Sequence, residues 1–219
     1  MPAIERVIRG ERADVVALLE ATDPQAVAGL ADRLGLQLVC GEANSAFAVA
    51  WLSALPIRAA TNHRLPILEK TLRELDLGDL RLFATHLRAG RTERDAELRT
   101  REAEAILETI GDADCLLVGD MNAVNPSDEV GIPPPEEALE FVARKPIELL
   151  LDAGFVDCYR RHHPGERGWT YLTWHPWARL DLVLARGELG GYVSSCDVVG
   201  GEDARRASDH FPVVAEFGL

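Results

Sequence analysis

The sequence predicts an α/β or α+β fold with mixed β-sheets, because candidate strands and helices alternate along the chain. The chain has 219 residues, of which 47% are hydrophobic. That is enough for one globular domain with a sizeable core and two packed layers. No internal repeat or low-complexity segment divides the chain, so we expect a single domain over residues 1–219.

The segment Cys115–Asn122 carries the clearest chemical signal. Its apolar run predicts a strand buried on both faces. Residues two apart in a strand point the same way, so Asp120 and Asn122 should project together from its C-terminal end. Gly119 lets another backbone or a ligand approach closely. Taken alone, the segment is more typical of a strand followed by an Asx turn than of a functional site.

Other elements follow from capping signals and apolar patterns. Asp23 is the predicted N-cap of a helix that ends at Gly35, and Thr92–Ile110 is the longest helical pattern. Strands are predicted at Asp14–Leu19, Leu36–Cys40, Ala46–Leu52, Gly154–Asp157, Trp169–Trp174, Arg179–Ala185, Tyr192–Val199 and Val213–Phe217, and further helical segments at Glu136–Lys145 and Ile147–Ala153.

A β-hairpin is predicted from Leu65–Leu75 and Leu80–Leu87, joined by a tight loop at Gly78. Pairing position 76 with position 79 places Glu69 directly opposite His86. A carboxylate beside a histidine holds one tautomer and raises the pKa of the histidine. The Glu69–His86 pair depends on the register, since a slip of one residue removes it.

Two more carboxylates stand out by position. Asp181 lies inside an apolar strand, where a carboxylate is costly unless it is paired, so it needs a partner. Glu20 ends the apolar strand near the N-terminus, a position that is more often a solvated strand end. His162 and His163 are in a polar, loop-like segment and are more typical of a surface than of a ligand set.

Charge and cysteine content limit the possible functions. The net charge of −13 argues against a non-specific nucleic-acid binder but suits divalent cations where carboxylates cluster. The four cysteines have no CxxC spacing, so zinc and redox motifs are not expected. We expect a reduced, cytoplasmic setting, no secretory signal and no membrane span.

Four short motifs together resemble the endonuclease/exonuclease/phosphatase family, which has the deoxyribonuclease-I-like fold. They occur in the family's order from about Arg12 to Phe217. Leu18-Leu19-Glu20 resembles a further motif, leucine-glutamine-glutamate, in which Leu19 stands in place of the usual glutamine. The four motifs are Thr85-His86-Leu87, Gly119-Asp120-Met121-Asn122, Arg179-Leu180-Asp181 and Ser208-Asp209-His210-Phe211-Pro212.

The resemblance implies a four-layer sandwich, in which two packed mixed β-sheets are flanked by helices. It also implies hydrolysis of a phosphoester with Mg²⁺ or Mn²⁺, with Glu20 and Asp209 as the metal carboxylates. His210, paired with Asp181, resembles the general base, and His86, paired with Glu69, would be a phosphate ligand or general acid. Asp120 and Asn122 would orient the attacking water and hydrogen-bond the phosphate.

The chain departs from the family at its start. The usual first strand ends in an asparagine that contacts metal or phosphate, whereas the first asparagine here is Asn44. The domain is therefore expected to lack that strand. The alternative to an enzyme is a catalytically weakened relative that binds a phosphorylated ligand or a protein. As an enzyme, the chain is expected to be a monomer whose substrate is a small molecule, a lipid headgroup or a nucleic acid.

Overall fold

The computed structural model describes residues 2–138 and 142–218. The strands are β1 (Val15–Leu18), β2 (Gln37–Gly41), β3 (Val49–Ser53), β4 (Ala59–His63), β5 (Leu72–Asp76), β6 (Arg81–His86), β7 (Cys115–Asp120), β8 (Phe155–Asp157), β9 (Asp181–Arg186), β10 (Val193–Val198) and β11 (Val213–Phe217). The α-helices are α1 (Pro2–Glu11), α2 (Pro24–Leu34), α3 (Glu93–Ile110), α4 (Lys145–Asp152), α5 (Cys158–His162), α6 (Leu189–Tyr192) and α7 (Glu202–Ala207), and a 3₁₀ turn covers Pro135–Glu137.

The strands form two facing layers. One layer is a six-stranded sheet in the order β4-β5-β6-β7-β9-β8, in which β6 and β7 are parallel and β7 and β9 are antiparallel. The facing layer contains the sheets β1-β3-β2 and β10-β11. Side chains such as Val49 and Leu116 form the core between the layers. Ile106 and Ile147 pack α3 and α4 on the outside of the six-stranded sheet, and Leu30 packs α2 on the outside of β1-β3-β2. The predicted four-layer sandwich is confirmed.

The prediction for the central strand is also confirmed. In β7, Cys115 and Leu117 face the helices, whereas Leu116 faces the second layer. Gly119 has a φ of +146°, and a Cβ added to it would lie 1.8 Å from the carbonyl oxygen of Thr85 in β6. The glycine therefore allows the backbone of the neighbouring strand to approach.

The caps predicted for α2 are present as well. The Asp23 side chain accepts hydrogen bonds from the backbone N–H groups of Gln25 and Ala26, each at 3.0 Å. Gly35 ends the helix in the left-handed conformation, with a φ of 71°. Glu20 lies in the short segment that connects β1 to α2.

Strands β1 and β11 each have a partner on one side only among the residues that the structure describes. Both strands contribute side chains to the core between the layers, including Val15 and Val213. The second layer is consequently divided into two sheets. That the domain lacks the first strand of the family it resembles stays a prediction.

The predicted register of the hairpin is wrong. In β5 and β6, Leu72 pairs with Thr85 and Asp76 pairs with Arg81. The two-residue loop is Gly78-Asp79, one position later than predicted, because the Asp76 carboxylate accepts a hydrogen bond from the N–H of Gly78 at 2.7 Å. This shift moves every cross-strand partner by two positions and places Glu69 before the strand.

Three further predictions need correction. Trp169–Trp174 is not a strand, since only Tyr171 makes isolated bridges, to Ala178 and His210. Residues 139–141 of the predicted helix Glu136–Lys145 lie outside the described residues, and the flanking residues 138 and 142–144 are not helical. Helices α1, α5, α6 and α7 and strand β4 were not anticipated as elements of the fold.

Gly119→Ala is expected to destabilise the protein by about 3 kcal/mol or more, because the new methyl group meets the Thr85 carbonyl and the backbone conformation disfavours a side chain. Urea denaturation followed by circular dichroism measures the change. The matched control is Gly165→Ala, where an added Cβ has nothing within 4 Å. A loss at Gly119 no greater than at Gly165 would show that β6 and β7 can separate without cost.

Candidate active site

Three site residues lie side by side across the centre of the six-stranded sheet. His86 at the end of β6 is in register with Asp120 at the end of β7, and Asp120 is in register with Asp181 at the start of β9. These strand ends meet because β6 and β7 are parallel whereas β9 runs in the opposite direction. The pairing of the strands therefore places a histidine and two carboxylates in one row.

Asp120 is the most enclosed member of this row, at 4% exposure. Its carboxylate accepts hydrogen bonds from the backbone N–H of Asn122 at 2.8 Å and from the side-chain amide of Asn122 at 3.2 Å. The His86 Nε2 lies 3.2 Å from Asp120 Oδ2. Burial raises the pKa of Asp120, but His86, His210 and the Asn122 N–H lower it to about 2. The carboxylate is therefore ionised at neutral pH.

The predicted pair of Asp181 and His210 is confirmed. The His210 Nδ1 lies 2.8 Å from Asp181 Oδ2, and the opposite ring nitrogen, Nε2, lies 4.0 Å from Asp120 Oδ2. Burial lowers the pKa of His210, but Asp181, Asp120 and Asp209 raise it to about 10. The segment that carries His210 is held in place because the Phe211 N–H donates to the Thr170 carbonyl at 2.7 Å.

The predicted pairing of Glu69 with His86 is wrong. The Glu69 carboxylate lies 3.0 Å from Arg88 Nη1 and 3.7 Å from Lys70 Nζ. The residues near His86 are Asp120 and Glu20, whose Oε1 lies 3.8 Å from His86 Nδ1. The observed register takes Glu69 out of the strand and removes the geometric reason for assigning it a catalytic role.

All the other predicted site residues except Asp181 line one cleft at the strand ends. Asp181 lies behind His210, to which it is hydrogen-bonded. The residues lining the cleft are Glu20, His86, Asp120, Asn122, Asp209 and His210. Glu20 and Asn122 both have left-handed backbone conformations, with φ values of 53° and 45°. Such conformations are unusual for residues other than glycine and often occur at functional sites.

The donor chemistry of the cleft fits a hard divalent cation. Among the described residues, no lysine or arginine forms an ion pair with Glu20 or Asp209, the two predicted metal carboxylates. Oxygen ligands of this kind suit Mg²⁺ and Mn²⁺. The group whose potential ligand atoms lie within 4.8 Å of one another consists of Asp120, Asp181 and His210. That group differs from the predicted ligand pair, which shares the same cleft.

A buried ion network behind the cleft was missed by sequence reasoning. Arg179, only 1% exposed, donates two hydrogen bonds to Asp128, at 2.9 and 3.0 Å, and further hydrogen bonds to Asp157. Asp157 also accepts a hydrogen bond from Asn125 at 2.8 Å. The network ties the loop after β7 to the end of β8. The one feature of the sequence that could have indicated this network is Arg179, an arginine among apolar residues two positions before Asp181.

A second buried group supports the loop at residues 87–91, which forms another wall of the cleft. The Glu102 carboxylate in α3 accepts hydrogen bonds from the N–H groups of Glu69 and Arg88, at 3.0 and 2.7 Å. Arg99 in the same helix donates to the carbonyl oxygens of Arg88 and Gly90, both at 3.1 Å. Burial raises the pKa of Glu102 and lowers the pKa of Arg99.

Comparison with known proteins agrees with this geometry. The model of the Endonuclease/Exonuclease/phosphatase family matches residues 2–210. The chain belongs to this family. Membership indicates a phosphoester hydrolase of the nuclease or phosphatase kind. A search of curated proteins found no match.

Several solved structures have the same fold. An AP endonuclease from Archaeoglobus fulgidus superimposes with a TM-score of 0.80 at 21% identity, covering 99% of this chain and 93% of the other. A variant of the 3′ phosphatase NExo from Neisseria, bound to a product DNA hairpin, gives 0.81 at 20% identity, covering 100% and 94%. A 3′-5′ exonuclease (NExo) from Neisseria meningitidis gives 0.78 at 20% identity, also covering 100% and 94%. In the described part of this family member, no helix is long and apolar enough to cross a membrane.

Arg179→Met is expected to destabilise this family member by about 3–5 kcal/mol, because it leaves the Asp128 and Asp157 carboxylates buried without their main cationic partner. Chemical denaturation measures the loss. Arg206→Met is the matched control, since Arg206 forms an exposed pair with Glu202 and should change stability by no more than about 0.5 kcal/mol. Equal effects of the two substitutions would contradict a structural role for the network.

Proposed function

We propose that the chain is a phosphoester hydrolase that depends on a divalent cation, Mg²⁺ or Mn²⁺. The observation that carries the proposal is the convergence of two histidines and the carboxylates at the strand ends in one cleft. Glu20 and Asp209 would hold the cation. When bound, such a cation polarises a phosphoryl oxygen and offsets the charge that develops in the transition state.

His210 is the proposed general base. Asp181 accepts a hydrogen bond from its Nδ1, and Nε2 is the nitrogen on the side of Asp120. The neighbouring carboxylates raise the pKa of His210 to about 10 and so favour the imidazolium. Nε2 would therefore take the proton of the attacking water only in the state in which a bound cation offsets the charge of those carboxylates. Asp120 and Asn122 would orient that water and hydrogen-bond the phosphate. His86, which is supported by Asp120, would act as phosphate ligand or general acid.

The proposal includes three classes of substrate. The substrate is a phosphoester of a small molecule, a lipid headgroup or a nucleic acid. The DNA hairpin bound to the Neisseria phosphatase supports nucleic acid among these, whereas the net charge of −13 favours a substrate that needs no broad basic surface. We propose that the protein acts as a cytoplasmic monomer.

Hydrolysis of bis-p-nitrophenyl phosphate with Mg²⁺ or Mn²⁺ tests the proposed chemistry. His210→Ala and Asp120→Ala should each lower the rate by at least about 100-fold, because they remove the base and the residue that orients the water. The control is His63→Ala, since His63 also lies 2.8 Å from a carboxylate, that of Glu74, but outside the cleft. Equal background rates for the wild type and both cleft variants would favour the alternative, a weakened relative that binds a phosphorylated ligand or a protein.

Metal binding tests the assignment of the carboxylates independently of turnover. Glu20→Gln and Asp209→Asn should each weaken the binding of Mn²⁺ by about tenfold or more, because each removes a charged oxygen ligand. Isothermal titration calorimetry gives the dissociation constants. Glu108→Gln on the exposed face of α3 changes the net charge equally and should leave the affinity unaltered. Unchanged affinity in both cleft variants would contradict the assignment of Glu20 and Asp209 and would indicate Asp120 and Asp181 as metal ligands instead.

A further inference from the structure

A second set of side chains lines the cleft but has no part in the proposed chemistry. Arg91 lies just before α3, Glu137 lies in the 3₁₀ turn, and Tyr171 lies beside His210, with ring centroids 4.6 Å apart. Arg91 Nη2 is 3.1 Å from Glu137 Oε2. Arg91 also donates a hydrogen bond to the backbone carbonyl of Glu136. These contacts connect two walls of the cleft.

The Glu137 carboxylate occupies a position with two potential donors. Its side chain is 22% exposed, it is paired with the Arg91 guanidinium, and it lines the same cleft as Tyr171. Burial first, and then the Glu137 carboxylate, raises the pKa of Tyr171, so its hydroxyl keeps its proton. A guanidinium and a neutral hydroxyl are also the donors that a phosphate oxygen prefers.

Arg91 is the accessible arginine of the cleft. Among the described residues that line it, the arginines are Arg91 and Arg99. Arg99 is 2% exposed and uses its guanidinium on two backbone carbonyls. The Arg91 side chain is 49% exposed and is neutralised by Glu137. An anion that enters the cleft therefore competes with Glu137 for this guanidinium.

We propose that Arg91 and Tyr171 form a subsite for a second phosphate group of the substrate, and that Glu137 occupies the subsite until that phosphate replaces it. The inference rests on the proposed phosphoester hydrolysis and narrows its substrate class. A lone monoester cannot fill both the reaction centre and this subsite. The preferred substrate carries a second phosphate beside the scissile one, either in a nucleic-acid strand or in a small bisphosphate.

Two matched nucleotides test the subsite. Thymidine 3′-phosphate and thymidine 3′,5′-bisphosphate differ by one phosphate group. Glu137→Gln keeps the size of the side chain but removes the competing charge, so it should lower KM for the bisphosphate about tenfold more than for the monophosphate. In an Arg91→Ala background the same substitution should give no such gain, because the two residues act through one contact.

Glu136→Gln is the control for net charge, because Glu136 is the exposed neighbour and contributes only its backbone carbonyl to Arg91. It should leave the ratio of the two KM values unchanged. The proposal is overturned if Glu137→Gln changes neither that ratio nor the KM for a 3′-phosphorylated oligonucleotide more than Glu136→Gln does, or if its effect persists without Arg91. A 3′-phosphorylated oligonucleotide is the third probe. If Glu137→Gln lowers KM for the oligonucleotide alone, the subsite is assigned to a nucleic-acid strand. If it lowers KM for the bisphosphate as well, one added phosphate is sufficient.

A binding measurement separates this proposal from the proposed function. Fluorescence anisotropy of a labelled single-stranded oligonucleotide needs no turnover. Arg91→Ala should flatten the slope of log affinity against log salt concentration by about 0.7, because it removes the one phosphate contact that Arg91 makes on a single strand once Glu137 has been displaced. If the wild type hydrolyses nothing, the proposed function fails, while an unchanged slope in Arg91→Ala overturns the subsite.

Discussion

The candidate site depends on the register of β7 with its two neighbours. The parallel pairing with β6 places His86 beside Asp120, and the antiparallel pairing with β9 places Asp181 on the other side. A slip of one residue in either pair would turn these side chains to opposite faces of the sheet. Gly119 stands one position before the row, where the Thr85 carbonyl leaves no space for a side chain. Asp120, which belongs to the candidate site, thus directly follows Gly119, at which β6 and β7 pack closely together.

The apolar pattern alone predicted that Asp181, the first residue of β9, needs a partner, but it did not indicate which residue that is. The family resemblance implied His210, and the two side chains are in contact although they are 29 positions apart in the sequence. The Glu69 assignment failed because it depended on which two residues form a hairpin loop. The observed loop lies one position later than predicted, where the Asp76 carboxylate accepts a hydrogen bond from the N–H of Gly78. Because the loop sets the register of the hairpin, every residue of β5 then has a different partner in β6.

Contacts between distant segments without a distinctive local pattern could not be predicted. Arg179 is 51 positions from Asp128 and 22 from Asp157, and all three are nearly inaccessible to solvent. An arginine in an apolar run indicates that a carboxylate is needed, but several acidic residues of this chain could have provided it. The same holds for Glu137, which lies beside Arg91 only because the segment after the proline-rich loop returns to the cleft.

The electrostatics of the cleft connect the proposed cation with the proposed subsite. Carboxylates of Glu20, Asp120, Asp209 and Glu137 line the cleft, so a phosphate group entering without a cation would meet uncompensated negative charge. The proposed divalent cation at Glu20 and Asp209 would compensate the negative charge near the reaction centre, whereas Glu137 is paired with Arg91. There the negative charge is balanced by the protein itself. A second phosphate can gain binding energy at that position only by taking over the Arg91 contact, so discrimination among phosphoesters would depend on this exchange of partners.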